Sequence, residues 1–157
     1  MNKKIVIKET RQADTRSADH IPTKEVLLKE SKDHIAAVSK SMDFFAEFIK
    51  LTGKMHDHTK IEYIDEFYKN FVAVMQDKTV EFKSLGWWKK HLTERHHLED
   101  RVPDDVNLVD VLEMICDCVC AGLARSGEVR PVHIPLDVLE KAANNTVELL
   151  KDLIVVE

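Results

Sequence analysis

The segment VNLVDVLEMICDCVCAGLA, residues 106–124, constrains the fold most strongly. Apolar residues cover almost the whole circumference of a helix drawn through it, so we expect a central, buried helix. Three acids interrupt it, Asp110, Glu113 and Asp117, and their i, i+3, i+7 spacing puts them on one face. An ionised carboxylate is expensive to bury unless it is paired or binds a metal. This face is therefore either a solvated edge, favoured for Asp110, or a metal-binding surface, favoured for Asp117.

The remaining apolar residues also recur at helical spacing. We predict further helices from Pro22–Thr23 to about 52, from about 62 to 75, from Ser84 to about 95 and from 136 to about 154. A short strand is possible at Ile5–Ile7. The predicted fold class is all-α: a single-domain bundle of about five helices, with residues 1–22 as a flexible N-terminal segment and residues 23–157 as the helical domain.

Composition excludes several function classes. A net charge of -5 over 157 residues makes a nucleic-acid partner unlikely, because such modules neutralise phosphates with basic surfaces. No apolar run approaches the roughly 20 residues of a membrane span, so no membrane partner is expected. The three cysteines, Cys116, Cys118 and Cys120, share one predicted helix and cannot easily form a disulfide. We interpret them as reduced core residues of a cytoplasmic protein.

Histidines and aspartates supply a candidate metal site. His34 lies on the apolar face of the first predicted helix, and the pair His56-Asp57 follows in the next connector. Together with Asp117 they form an ordered H…HD…D set from separate elements. A divalent metal is bound by such converging imidazole nitrogens and carboxylate oxygens. The adjacent His58 is the rival of His56 for the same role.

This set resembles the metal-binding signature of the HD-domain phosphohydrolases, an all-α superfamily. The connector HDHTK is similar to the HDxGK form of many members, with Thr59 where glycine is common and Lys60 retained. The stretch WWKKHLTERHH followed by LEMICD resembles an uncharacterised phage and bacterial HD-like family most closely. The likeness covers roughly residues 24–127, and a phage origin would place the protein in the host cytoplasm.

The resemblance implies a role for each matching residue. The metal ligands would be His34, His56, Asp57 and Asp117, with His96 and His97 as candidates for a second ion, as in binuclear members of the superfamily. Candidate catalytic residues are Asp57, Lys60 and Glu113, and candidate substrate-binding residues are Lys60, His91 and Arg95. Of the adjacent Trp87 and Trp88, one is expected to pack inward, and the other forms either further core or a wall for a nucleobase.

The predicted function is metal-dependent hydrolysis of a nucleotide or another small phosphate ester. The cofactor would be one or two divalent ions among Mn, Fe, Co, Ni, Zn and Mg. One alternative is a non-catalytic HD-like protein that sequesters a nucleotide or binds a host factor, and another is a different metalloenzyme such as an oxygenase. The oligomeric state is left open, with a homodimer as one option.

Overall fold

The computed structural model describes residues 4–129 and 131–157 and is about 65% helical, so the predicted all-α class is confirmed. Its elements, in chain order, are β1 (Ile5–Ile7), a 3-10 helix (Arg11–Ala13), α1 (Lys24–Met55), α2 (His58–Glu62), α3 (Ile64–Gln76), a 3-10 helix (Phe82–Ser84), α4 (Gly86–His91), α5 (Leu108–Ser126), α6 (Leu136–Leu153) and β2 (Ile154–Val156). Among the described residues, no helix combines the length and apolarity needed to cross a bilayer.

Three helix boundaries differ from the predicted ones. α1 continues through Gly53, the predicted stop, to Met55, because a single glycine in a helix costs only about 1 kcal/mol and the surrounding turns continue. The predicted second helix corresponds to α3, and the preceding segment, predicted as a connector, contains the additional short helix α2. α4 ends at His91 rather than near residue 95. The residues after it form turns, which free His96 and His97 from helical spacing.

The chain divides into two compact units, Met1–Ile49 with Thr146–Glu157, and Lys50–Asn145. In the first unit, β1 and β2 form a two-stranded parallel pair with Ile5 opposite Ile154. Ile5 is buried, and Lys40 of α1 donates a 2.7 Å hydrogen bond to the carbonyl of Val6. The predicted strand at Ile5–Ile7 is therefore confirmed, inside a segment that we expected to be flexible. The predicted domain boundary at residue 22 stays a prediction.

The second unit has its core around the first half of α5. Its buried members include Val106, Val111 and Met114, packed with Val138 and Ala142 of α6. Beyond Met114 the helix is largely uncovered, since Ile115 is 37% and Leu123 54% exposed. The prediction of a helix buried on all sides is wrong for this half. The same applies to Cys116 and Cys120, which are exposed rather than core residues, while Cys118 is half-buried.

The start of α5 is anchored by Asp110. Its carboxylate accepts a 2.9 Å hydrogen bond from the backbone N–H of Asn107, whose side chain caps the helix in return. The same carboxylate accepts hydrogen bonds of 2.7 and 2.8 Å from the guanidinium of Arg95. Asp110 is only 2% exposed, so the favoured interpretation of a solvated acid is wrong. The acid is buried because it is fully paired.

We expect Asp110→Ala to lower the free energy of unfolding by about 2–4 kcal/mol, because it removes a helix cap and leaves Arg95 without its buried partner. The matched control is Asp105→Ala. Asp105 pairs with the same arginine, but its side chain is 81% exposed, so the expected loss is below about 0.5 kcal/mol. Urea unfolding of both variants measures the difference, and equal losses would contradict the anchoring role.

Candidate metal centre

Imidazoles and carboxylates from four segments meet inside the unit Lys50–Asn145. They come from the end of α1, the end of α4, the turns that follow α4, and α5. The members of this cluster are His56, Asp57, His91, His96, His97, Glu113 and Asp117. We call it the His/Asp cluster.

The His56-Asp57 pair enters the cluster through a backbone reversal. Asp57 has a φ of 55° and a ψ of 23°, the left-handed conformation, and it separates α1 from α2. Among non-glycine residues, aspartate and asparagine adopt this conformation most readily. Because the helix ends there, both side chains reach the same site: His56 Nε2 lies 3.5 Å from Asp57 Oδ2 and 3.4 Å from Asp117 Oδ1.

A single carboxylate oxygen holds two of the histidines. Glu113 Oε1 lies 2.9 Å from Nδ1 of His56, a hydrogen bond, and 3.2 Å from Nδ1 of His96, an ion-pair contact without hydrogen-bond geometry. A carboxylate at Nδ1 favours the proton on that nitrogen, so that a neutral ring presents the lone pair of Nε2 to a metal. This contact pattern is typical of a residue that orients metal ligands. It differs from the direct catalytic role predicted for Glu113.

The Nε2 side of the cluster contains buried polar atoms without hydrogen-bond partners. Asp57 Oδ1 and His96 Nε2 are two such atoms, and they lie 3.7 Å apart. Ligand atoms of His56, His96 and Asp117 lie within 4.8 Å of one another, and so do those of Asp57, His96 and His97. A cation would satisfy atoms that are costly to leave unpaired. The mixed nitrogen and oxygen set therefore fits a divalent transition metal.

Charged neighbours shift the pKa values of two residues of the cluster. Burial raises the pKa of Asp57, but the adjacent Lys60 outweighs it and the net pKa is lowered. Burial lowers the pKa of His96, but the contact with Glu113 outweighs it and the net pKa is raised. Both shifts follow from ion pairs within the cluster, and metal binding would compete with a proton on His96.

His91 is oriented by Thr59 and is electrically neutral. Thr59 Oγ1 lies 2.8 Å from His91 Nδ1, and His91 Nε2 lies 2.8 Å from His97 Nε2. Burial, followed by the proximity of His97, lowers the pKa of His91 to about 4. At neutral pH the ring is therefore uncharged, and its predicted role in binding the substrate stays a prediction.

A cavity of about 620 Å³ lies beside the cluster. One end is polar and contains Lys60, His91, His97 and Asp117. The other walls are mostly aromatic and apolar, formed by Phe67, Phe71, Val74, Met75, Phe82, Trp87 and Trp88, with Arg125 also at the lining. The aromatic rings continue into the cluster, because Phe67 stacks on Trp87 at 4.2 Å and Trp87 on His91 at 4.5 Å between centroids.

The structure brings together most of the predicted site residues. His56, Asp57, His96, His97 and Asp117 all contribute to the two groups of ligand atoms. Two of the predicted site residues, His34 and Arg95, belong to neither group of ligand atoms. His34 is an exposed residue within α1 and belongs to neither group, and Arg95 directs its guanidinium to Asp110 and Asp105. His58 is exposed, which leaves His56 as the candidate ligand.

Three residues that contribute to the site were not predicted from the sequence. Glu94 accepts a 2.9 Å hydrogen bond from the backbone N–H of Thr59, and Thr59 in turn orients His91. Arg125 lines the cavity eight residues after Asp117, a spacing that puts both on one face of α5. That spacing was a usable signal for Arg125. The roles of Thr59 and Glu94 depend on long-range contacts that no local pattern encodes.

Comparison of the chain with family models, with curated proteins and with solved structures finds no match. The geometry of the His/Asp cluster and its cavity is therefore the basis for a functional proposal.

We expect Asp57→Ala and His96→Ala to abolish or strongly weaken binding of Mn²⁺ or Zn²⁺ to the chelator-treated protein. Loss of an outer partner of a metal ligand already costs about 10–100-fold in affinity, and loss of a ligand costs more. Isothermal titration calorimetry measures the dissociation constant. His58→Ala is the matched control, because His58 is exposed beside the same pair. Equal affinity in the Asp57→Ala, His96→Ala and His58→Ala variants would contradict the site.

Thr59→Val tests whether the hydroxyl orients His91. It keeps the shape of the side chain but removes its hydrogen bond to His91, whose ring contacts the candidate ligand His97, so we expect metal affinity to fall by a few fold, less than the about 10–100-fold lost with a direct partner of a ligand. Thr59→Ser retains the hydroxyl and should bind metal nearly as the wild type does. A Thr59→Val protein with wild-type affinity would show that the contact is only a packing feature.

Proposed function

We propose that this chain is a metal-dependent hydrolase of small phosphate esters that carry an aromatic or apolar group, with nucleoside monophosphates as the first candidates. The observation that carries the proposal is the His/Asp cluster at the polar end of a largely aromatic cavity. The likeness to HD-domain phosphohydrolases remains a prediction within this proposal. His34 and Arg95 have no part in it.

The residues that would hold a metal are His56, Asp57, His96 and Asp117, with His97 as a further ligand beside Asp57 and His96. A divalent ion supplies a Lewis acid for a phosphoryl oxygen and lowers the pKa of a bound water. The donor set suits Mn, Fe, Co, Ni or Zn, and its carboxylates also accept Mg. Glu113 would keep the rings of His56 and His96 in the binding orientation.

Two cations at the cavity would bind the substrate's negative charge. Lys60 lies against Asp57 and also lines the cavity, so its ammonium group is placed between the cluster and a bound phosphate. Arg125 lines the same cavity and makes no ion pair within the described part of the chain, which leaves its guanidinium available to an anionic group. These residues replace His91 and Arg95 as the sources of positive charge.

Asp117 is the carboxylate that belongs to both the cluster and the cavity. Its side chain is 29% exposed, whereas that of Glu113 is 10% exposed and is held between two histidines. Besides its role as a metal ligand, Asp117 would therefore orient the attacking water and accept its proton. The leaving alkoxide or phenoxide would depart toward the aromatic wall.

The aromatic wall supports a substrate with a planar apolar group. Phe71 is 50% exposed and lines the cavity, and Trp88 is half-buried there. Stacking of a base on such a side chain contributes about 1–3 kcal/mol. A volume of about 620 Å³ lies within the range of small-molecule pockets.

We expect the Mn- or Co-loaded protein to release phosphate from nucleoside monophosphates or from an aryl phosphate. Chelation should abolish the activity and added metal should restore it, since the cluster provides the only proposed Lewis acid. Asp57→Ala should be inactive, and His58→Ala, prepared in the same way, should retain wild-type activity. Together, these two variants exclude phosphate release by a contaminating phosphatase.

A metal-loaded wild-type protein that hydrolyses none of these esters would overturn the catalytic proposal. If that inert protein bound a nucleotide tightly, the function would be nucleotide sequestration on the same site. Iron content with oxygen-dependent turnover would instead favour an oxygenase.

The variant Phe71→Ala tests whether the aromatic wall of the cavity binds the substrate. We expect KM for an aryl or nucleoside phosphate to rise about tenfold, because one stacking surface is lost, while KM for glycerol phosphate stays near the wild-type value. Tyr68→Ala is the control, since Tyr68 lies on the same helix, is 68% exposed and does not line the cavity. An equal change of KM for both substrates would contradict recognition of an aromatic group.

A further inference from the structure

One cation of the cavity lies about two helical turns away from the His/Asp cluster. Arg125 follows Asp117 on α5 by eight residues, which corresponds to about 12 Å along the helix axis. Both residues line the same cavity. The other charged side chains of the lining, those of Lys60 and Asp117, lie at the cluster. The cavity therefore extends from the candidate metal centre to a second, positively charged region.

Helix α3 also leads away from the cluster along the cavity. Phe67 is near the cluster, because it stacks on Trp87, which in turn stacks on His91. Phe71 lies one turn further along α3 and Met75 another turn further, so the wall to which they belong is also about 12 Å long. A ligand that reaches from the cluster to the second cation would therefore lie against apolar and aromatic side chains.

The backbone that carries Arg125 is held by the cap of its helix. Gly127 has a φ of 75°, and its N–H donates a 3.1 Å hydrogen bond to the carbonyl of Leu123. The chain then turns back over α5, so closely that a Cβ at Gly122 would lie 2.6 Å from the carbonyl oxygen of Glu128. A capped and covered helix end resists fraying, so the exposed side chain of Arg125 starts from a fixed position.

The charge of Arg125 has no anionic partner within the described part of the chain. Lys60, by contrast, is paired with Asp57. A phosphate bound at the cluster would contact the metal and Lys60, so the guanidinium is additional to what one phosphate needs. A guanidinium binds a carboxylate or a phosphate through two parallel hydrogen bonds, which favours an anion as its partner.

We infer that the substrate carries a second anionic group, a carboxylate or another phosphate, which Arg125 binds at the end of the cavity away from the metal centre. The planar apolar part of the substrate would lie between the two anions, against Phe71 and Trp88. Helix side chains lean toward the N-terminus, so the long side chain of Arg125 reaches back toward the cluster and the two anions lie less than about 12 Å apart. The inference rests on the proposed function, because it places the scissile phosphate at the His/Asp cluster.

Binding of phosphonates, which are not hydrolysed, tests the second anion separately from turnover. The probe is a benzylphosphonate with a carboxyethyl group in the para position, and its neutral carboxamide has the same shape without the second charge. We expect the Zn-loaded wild type to bind the carboxylate about three- to tenfold more tightly, the effect of a charge-assisted contact at an exposed arginine. Arg125→Gln should abolish this preference and leave the affinity for the carboxamide unchanged. Isothermal titration calorimetry measures both dissociation constants.

Lys69→Gln is the matched control for the change of net charge, because Lys69 is exposed on α3 and does not line the cavity. It should keep the wild-type preference for the carboxylate. Equal affinity of the wild type for both probes, or a preference that persists in Arg125→Gln, would overturn the role of Arg125 and leave phosphate binding at the cluster intact. A metal-loaded protein that binds neither probe would contradict the proposed function and, with it, this inference.

Discussion

The partly buried ion pair between Arg95 and Asp110 is the interaction on which the geometry of the second unit depends. Arg95 immediately precedes His96 and His97 in irregular backbone, and Asp110 lies one turn before Glu113 on α5. The pair therefore fixes the histidine-bearing turns against the helix that carries the acids. Backbone hydrogen bonds within the turns and the buried side chain of Leu98 restrain the same segment further.

The three acids on one face of α5 perform three different tasks. Asp110 anchors the turns after α4, Glu113 contacts two imidazoles, and Asp117 reaches the cavity. Exposure increases along the series, with side chains 3%, 10% and 29% exposed. Asp110, the most buried of the three, is paired with the guanidinium of Arg95. Asp117, the most exposed, is accessible to a ligand. This order agrees with the cost of burying an ionised carboxylate.

The cluster combines this framework with groups that remain incompletely paired. Asp57 Oδ1 and His96 Nε2 are buried without hydrogen-bond partners, while Lys60 compensates the negative charge of Asp57. Such an arrangement stores free energy that a cation can recover on binding. The aromatic stack from Phe67 through Trp87 to His91 gives the cavity a rigid wall next to these groups.

Local patterns in the sequence determined the helical class, the strand at Ile5–Ile7 and the shared face of the three acids, because each depends only on periodicity along the chain. The meeting of His56 and Asp57 with Asp117 was predicted from their order along the chain, and the participation of His96 only through a family resemblance. Tertiary structure alone decided that Asp110 is buried with Arg95, that Thr59 orients His91 and that the second half of α5 is uncovered. Those outcomes depend on which segments pack together, and a pattern confined to one helix carries no information about its neighbours.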